Sequence, residues 1–341
     1  MLNLIYLIVI LFFVFLINNF FKKKSILLNY TGERHQLQTA DGLVPRSGGI
    51  VFFLLFLFIF FDFKNLFFLA TMTIVFLIGL FSDLKILQSP KKRLLLQAIS
   101  IFFCVYFLNL EIISTRILFF DYVLSNYFVN ILFTIFCITI VVNGTNLIDG
   151  LNGLVIGYYS IILYFLLNLN FFYLLDISPM NINLIFLIFF ILLVLNFFNK
   201  LFIGDGGAYL LGFLFSVWAI FLQYKLLNIS PFYIILLLWY PCFENLFSII
   251  RKKIIRKNPF YPDTDHLHQL FFNYIKNLTK CSKTLSNTIS SIIINIFNFI
   301  IIYVGNLDPY NTSLQIFCLI TAVFIYIVSY FLLFNFKNKY S

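Results

Sequence analysis

The chain has 341 residues, 62% of them hydrophobic and only 11% charged, with a mean hydropathy of +1.00 and a formal net charge of +10. Those proportions exclude a soluble globular domain of this length. They predict an all-α, polytopic membrane bundle, because apolar runs of bilayer-crossing length recur from end to end.

Met1–Phe21 has no basic stretch before its apolar run and no small-residue cleavage site, so it reads as a first membrane helix and not as a removed signal. Further spans are predicted over 48–61, 66–81, 94–110, 117–142, 153–175, 182–198, 208–224, 231–250, 286–304 and 313–336, giving ten or eleven in one membrane domain over 1–341. The second and third are short, and 117–142 includes an interfacial stretch. If the loops alternate sides, those at 22–47, 82–93, 143–152, 199–207 and 251–285, with the tail from 337, hold 20 of the 23 Lys and Arg. The other side has only Lys64, Arg116 and Lys225. The positive-inside rule then puts the basic loops and the C-terminus in the cytoplasm and the N-terminus outside. This asymmetry also accounts for the net charge, and no base-reading or stacking module points to nucleic acid. The five cysteines show no CxxC or paired spacing, so neither a disulfide nor zinc is expected.

Five polar clusters fall on the basic side. Thr31–Gly49 ends in Pro45-Arg46-Ser47-Gly48-Gly49, which alone reads as a turn into the second span. Gly79–Lys85 brings Asp83 to the end of a span, followed by Pro90 and the cations Lys91, Lys92 and Arg93. Pro90 suits the first turn of a helix. The cations are either membrane anchors or, with Asp83, a site for phosphate and metal. Asn143–Leu154 interrupts two apolar runs, with Asn143, Asn146 and Asp149 spaced to share one helical face and Gly150 and Gly153 permitting close approach. In Gly204-Asp205-Gly206-Gly207 the carboxylate either caps the next helix or, uncrowded, joins the Asn146 amide oxygen in holding Mg²⁺. The last loop has Arg251, Lys252, Lys253, Arg256 and Lys257, then Pro262-Asp263-Thr264-Asp265-His266-Leu267-His268. The two histidines lack the spacing and third soft ligand of a zinc site, and contact with phosphate oxygens suits them better.

These five motifs, in this order over about 45–270, resemble the polyprenyl-phosphate N-acetylhexosamine-1-phosphate transferases, also called glycosyl transferase family 4. The His-Leu-His form is more similar to the branch that starts O-antigen-like glycans than to the peptidoglycan translocase. The resemblance implies that a polyprenyl phosphate, undecaprenyl phosphate, attacks the β-phosphate of a UDP-amino sugar, taking the sugar-1-phosphate and releasing UMP. It implies a Mg²⁺ cofactor, with Mn²⁺ an alternative, a cytoplasmic cleft in the cell membrane and, on the resemblance alone, a homodimer. Asp83, Asp149 and Asp205 would be the catalytic carboxylates, with Asp205 and Asn146 on the metal. Lys92 or Arg93 would hold phosphate. Arg256, His266 and His268 would line the nucleotide-sugar pocket, and Asn143 with Asp149 would shape the floor. Joining two anions makes charge neutralisation and alignment the main task of such a site. Two positions depart from the family pattern: Ser82 stands where an aspartate is usual, and Gln269 where a third histidine is frequent. Two other readings of the same clusters are a donor carrying N-acetylmuramoyl-pentapeptide and, from a different class, a transporter of anionic lipids or nucleotides.

Overall fold

The structure is a computed structural model that describes residues 2–29, 42–60, 66–258 and 263–340. The beginning of the first polar cluster from Thr31, the Lys64 loop, and Pro259–Pro262 in the fifth cluster lie outside the described residues. Fifteen helices are described: α1 (Leu2–Lys24), α2 (Gly48–Phe60), α3 (Leu66–Asp83), α4 (Pro90–Leu108), α5 (Leu118–Leu124), α6 (Tyr127–Ile148), α7 (Leu154–Asn168), α8 (Phe171–Leu174), α9 (Pro179–Phe197), α10 (Gly204–Lys225), α11 (Pro231–Leu237), α12 (Trp239–Ile254), α13 (Leu267–Thr279), α14 (Lys283–Asn306) and α15 (Thr312–Tyr340). Their starts follow local chemistry. Pro90 opens α4 after Ser89, whose hydroxyl accepts the Lys92 N–H, and Pro179 opens α9 after Ser178, which caps the Asn181 N–H. Asn126 caps α6 and separates it from the short α5, whose Leu118, Phe119 and Tyr122 are exposed, as an interfacial stretch requires.

Seven of the described helices (α1, α3, α6, α9, α10, α14 and α15) are long and apolar enough to cross a membrane, and α11 with α12 makes an eighth, bent by 76°. Each of the eleven expected spans contains a helix, but three do not qualify by themselves. Helices α2 and α7 are apolar and short, and α4 carries Lys91, Lys92 and Arg93 in its first turn. The bend at Leu238 frees backbone groups inside the bundle. The Tyr158 hydroxyl satisfies them, donating to the Leu237 carbonyl (2.8 Å) and accepting the Tyr240 N–H (3.4 Å).

Helix α10 is the axis of the bundle, with 18 of its 22 residues buried. Close approach of backbones sets its neighbours. A Cβ on Gly79 of α3 would stand 2.5 Å from the Asp205 carbonyl oxygen, one on Gly49 of α2 would meet the Gly207 backbone, and one on Gly212 would stand 2.8 Å from Val142 of α6. The strap before α2 joins the same end: Gly48 N–H and Gly49 N–H donate to the carbonyls of Phe202 and Ile203 (2.9 and 3.0 Å). The C-terminal ends of α3, α6 and α12 and the N-terminal ends of α2, α4 and α10 therefore gather at one end of the bundle, where the polar clusters meet.

Candidate active site

At that end two adjacent residues of α3 clasp the start of α10. Ser82 Oγ donates to Asp205 Oδ2 (2.6 Å), and Arg93 Nη1 reaches the same oxygen (3.0 Å) and also contacts Ser82 Oγ. Asp83 accepts from Arg46 Nη1 (2.8 Å) and from the Gly206 N–H (3.1 Å). Its carboxylate thus caps the positive end of the α10 dipole while neutralising a cation. Gly204 has φ +68°, and a Cβ there would stand 2.6 Å from Asp83 Oδ2, so both backbone and space require glycine. The two carboxylates differ in access: the Asp83 side chain is 2% exposed and the Asp205 side chain 26%.

The wall opposite is the end of α6. Sequence alone ends this span at Val142, but the helix runs on to Ile148. Asn143 does not break it, because its amide nitrogen donates to Gln97 Oε1 and to the Thr139 carbonyl (both 2.9 Å). Asn146 donates to the Tyr209 hydroxyl (3.3 Å), one turn along α10 from Asp205. Asp149 is the residue that ends the helix. Burial, and then the Asp205 and Asp83 carboxylates, raise the Asp149 carboxyl well above the usual range, with Arg46 opposing. Behind it the backbone is pinned by asparagines. Asn287 accepts the Asn152 N–H (2.6 Å), Asn196 accepts the Gly153 N–H, and Asn295 donates to the Gly153 carbonyl (3.1 Å).

The third side is the 263–268 loop. His266 lies between two carboxylates, with Nδ1 2.9 Å from Glu244 and Nε2 3.1 Å from Asp263. Burial lowers its affinity for a proton, but Asp263 and Glu244 outweigh this and raise it to about 9, so an imidazolium donates to Glu244 and forms an ion pair with Asp263. Burial opposes ionisation of Asp263 too, and His266 and Arg251 override it, leaving that carboxyl at about 2. His268 is the reverse. It is 0% exposed, neither ring nitrogen has a hydrogen-bond partner among the described residues, and burial lowers it to about 4, so its imidazole is neutral. Its ring lies against Gly150, where any side chain would collide with it. The third and fifth clusters are therefore in contact.

Residues 65–223 match the family described as glycosyl transferase family 4. The phospho-N-acetylmuramoyl-pentapeptide-transferase of Dictyoglomus thermophilum is 32% identical over 219 residues, 59% of this chain and 68% of that protein. The chain belongs to glycosyl transferase family 4. Other family relatives cover more of it at lower identity. The undecaprenyl-phosphate alpha-N-acetylglucosaminyl 1-phosphate transferase of Thermotoga maritima is 29% identical over 77% of this chain and 79% of its own length. A probable undecaprenyl-phosphate N-acetylglucosaminyl 1-phosphate transferase of Bacillus subtilis is 26% identical over 86% of this chain and 81% of its own length.

The part matched to the family contains Asp83, Arg93, Asn143, Asn146, Asp149 and Asp205, and the fold brings these together. His268 joins them through Gly150. Lys92 is exposed on the first turn of α4, beside Arg93. Arg256 is exposed in the turn after α12, at φ +55°. His266 is held by two carboxylates and has 5% of its side chain exposed. Three participants were not singled out from sequence: Arg46 as the partner of Asp83, Arg251 as the partner of Asp263 (2.8 Å), and Glu244 as the partner of His266. A lone acidic residue within a span was the available signal for Glu244, since such a charge needs a partner. Among the described residues no three His, Cys, Asp or Glu side chains are grouped to cage a metal ion. Mg²⁺ does not need such a cage: one or two carboxylates suffice when phosphate and water oxygens complete its shell, and the partly exposed Asp205 fits that demand.

Proposed function

We propose that this family 4 protein transfers an N-acetylhexosamine-1-phosphate from a UDP-amino sugar to undecaprenyl phosphate, releasing UMP, as the first membrane step of a surface polysaccharide of the O-antigen kind. The observation that carries this reading is the meeting of Asp205, Arg93, Asp83, Arg46 and Asp149 at one end of a membrane bundle. Helix ends at the membrane boundary suit an acceptor with a prenyl tail and a phosphate head. The names of the Thermotoga and Bacillus relatives support the acceptor and the acetylglucosaminyl donor.

In this reading an oxygen of the lipid phosphate forms a bond to the β-phosphorus of the donor, and the bond from that phosphorus to the oxygen of UMP breaks. A phosphate monoester with a second pKa of about 6 is already largely ionised at neutral pH, so it needs orientation more than a base. Arg93 and Lys92 hold phosphate oxygens, Arg93 from a position fixed by Asp205 and Ser82. Asp83 keeps Arg46 and the start of α10 in register, which aims Asp205. Ser82, where an aspartate is usual, keeps a hydrogen bond to Asp205 without adding a third negative charge beside Asp83. Asp205, with the Asn146 amide oxygen, would hold Mg²⁺, which supplies charge neutralisation at the pyrophosphate. Asp149 and the neutral imidazole of His268 border the donor pocket, with Arg256 at its rim and Asn143 in its floor. The site faces the cytoplasm, where the soluble donor is found, and the N-terminus lies outside.

The Dictyoglomus relative favours a second donor, a UDP-N-acetylmuramoyl-pentapeptide. Purified protein incubated with undecaprenyl phosphate, Mg²⁺ and a panel of UDP-sugars including that donor decides between them. We expect UMP release with a UDP-N-acetylhexosamine. Release with the pentapeptide donor alone selects the second reading, and no release with any donor overturns both. The transporter reading would need polar residues along a path through the spans; Glu244, an acidic residue within a span, is instead bonded to His266 and Tyr326.

A further inference from the structure

The 263–268 loop is fastened to the C-terminal helix by polar contacts. The Tyr326 hydroxyl of α15 donates to Glu244 Oε2 (2.7 Å), and the other oxygen of that carboxylate holds His266. Tyr326, Glu244 and His266 are all at most 5% exposed, so α15, α12 and the loop share one buried hydrogen-bonded line. A second fastening lies nearer the surface, where Lys337 Nζ reaches Asp265 Oδ1 (2.6 Å). Between them Arg251 sits over the Tyr330 ring (5.8 Å) while binding Asp263 (2.8 Å) and Asp265 (3.5 Å). The Tyr274 ring of α13 packs on Phe336 (5.0 Å) and extends the same seam beyond the loop.

We propose that Tyr326 and Lys337 are positioning residues: through Glu244 and Asp265, α15 holds the 263–268 loop so that His268 faces the site. The inference rests on the transferase reading for what the loop binds, but the latch itself is a property of this chain. A carboxylate in a membrane span is costly, and helix packing alone does not call for one. Glu244 has one oxygen for the loop and one for α15, which is the arrangement of a link. Without the Tyr326 hydroxyl, Oε2 is buried without a donor. The carboxylate then turns to recover one, and His266 Nδ1 loses its acceptor. His266 and His268 are two residues apart with their rings stacked at 5.7 Å, so displacement of the first carries the second away from Gly150.

Tyr326→Phe and Lys337→Gln test this. Tyr326→Phe keeps the ring that packs on Phe243 and Phe247 (4.9 and 5.4 Å) and removes only the hydroxyl. We expect the KM for the UDP-sugar to rise about tenfold in Tyr326→Phe, the worth of one hydrogen bond to a charged group, with the KM for the lipid unchanged. The more exposed Lys337→Gln should raise it about threefold, and Lys337→Arg should restore it. In ¹⁵N-histidine spectra the His266 ring signals, assigned by their loss in His266→Gln, should shift in Tyr326→Phe without substrate. A donor KM within about twofold of wild type in both variants, with unmoved His266 signals, overturns the proposal. An equal rise in both KM values, the sign of general loosening, overturns it as well. A wild type that releases no UMP, with His266 signals that still shift in Tyr326→Phe, sustains the latch and overturns the transferase reading.

Discussion

Ser82 and Asp83 are neighbours in sequence, and the start of α10 separates their tasks. Ser82 faces the more open Asp205, whereas Asp83 is shut between Arg46 and the Gly206 N–H. Asp83 is therefore taken up by other protein groups, whereas Asp205 is the carboxylate left partly open. A buried carboxylate that loses its cation is penalised far more than the pair contributes when intact, because the orphaned charge has no water to turn to. Arg46→Ala should lower stability by about 1–3 kcal/mol, since Asp83 keeps the Gly206 N–H and can recover part of the loss by taking up a proton. A thermal melt in detergent reads this directly, and an unchanged melting temperature would show that Asp83 does not depend on Arg46. The Asp83 signal was legible in sequence as a charge at the end of a span. Its partner was not, because Arg46 is 37 residues away and reaches it only once α2 is docked on α10.

At the scale of elements, motif glycines set how near one helix comes to the next. Gly144 of α6 faces the Pro241 carbonyl of α12, and a methyl group there would overlap it. Gly144→Ala should push α12 away from α6 and cost about 1–3 kcal/mol, as overpacking of a tight contact does. The expected result is a lower melting temperature, and one equal to wild type would mean that α12 shifts freely. Because α12 carries Glu244, the same change bears on the loop that Glu244 holds. The glycines of the third and fourth clusters could be recognised in sequence as places of close approach. Which helix comes close at each could not, since spacing along one helix says nothing about the neighbour chosen. Helix lengths show the same limit. Asn143 reads as a loop residue, yet it lies inside α6 once Gln97 accepts from its amide, and Gly204 opens α10 directly, with Asp83 accepting from the Gly206 N–H.

For the whole molecule, the alternation of helix ends decides which loops share a face. Lys337 near the end of α15 binds Asp265 at the site, and Asn18 near the end of α1 donates to the Lys200 carbonyl beside α10. The chain's C-terminal end thus lies at the site end and its beginning at the other. With the site facing the cytoplasm, a periplasmically active phosphatase fused after Ser341 should be inactive, and one fused after Lys225 should be active. The reversed pattern would overturn the proposed orientation. Arg116, one of the few cations away from the site, supports this division, since it bridges the Asn228 and Tyr310 carbonyls at the far end.

The sequence by itself determined that the chain is a helical membrane protein, which segments form the bundle and which polar clusters stand apart from it. Those properties follow from local composition: apolar length, charge placement, glycine and proline. Tertiary structure alone decided the partners. Asp83 could have met lipid phosphate and met Arg46; His266 could have faced a ligand and is held by Glu244 and Asp263; His268 packs against Gly150. In a bundle the groups that satisfy a buried charge come from helices far away in sequence, and only the packing of those helices shows which of two histidines is held by carboxylates and which packs on Gly150.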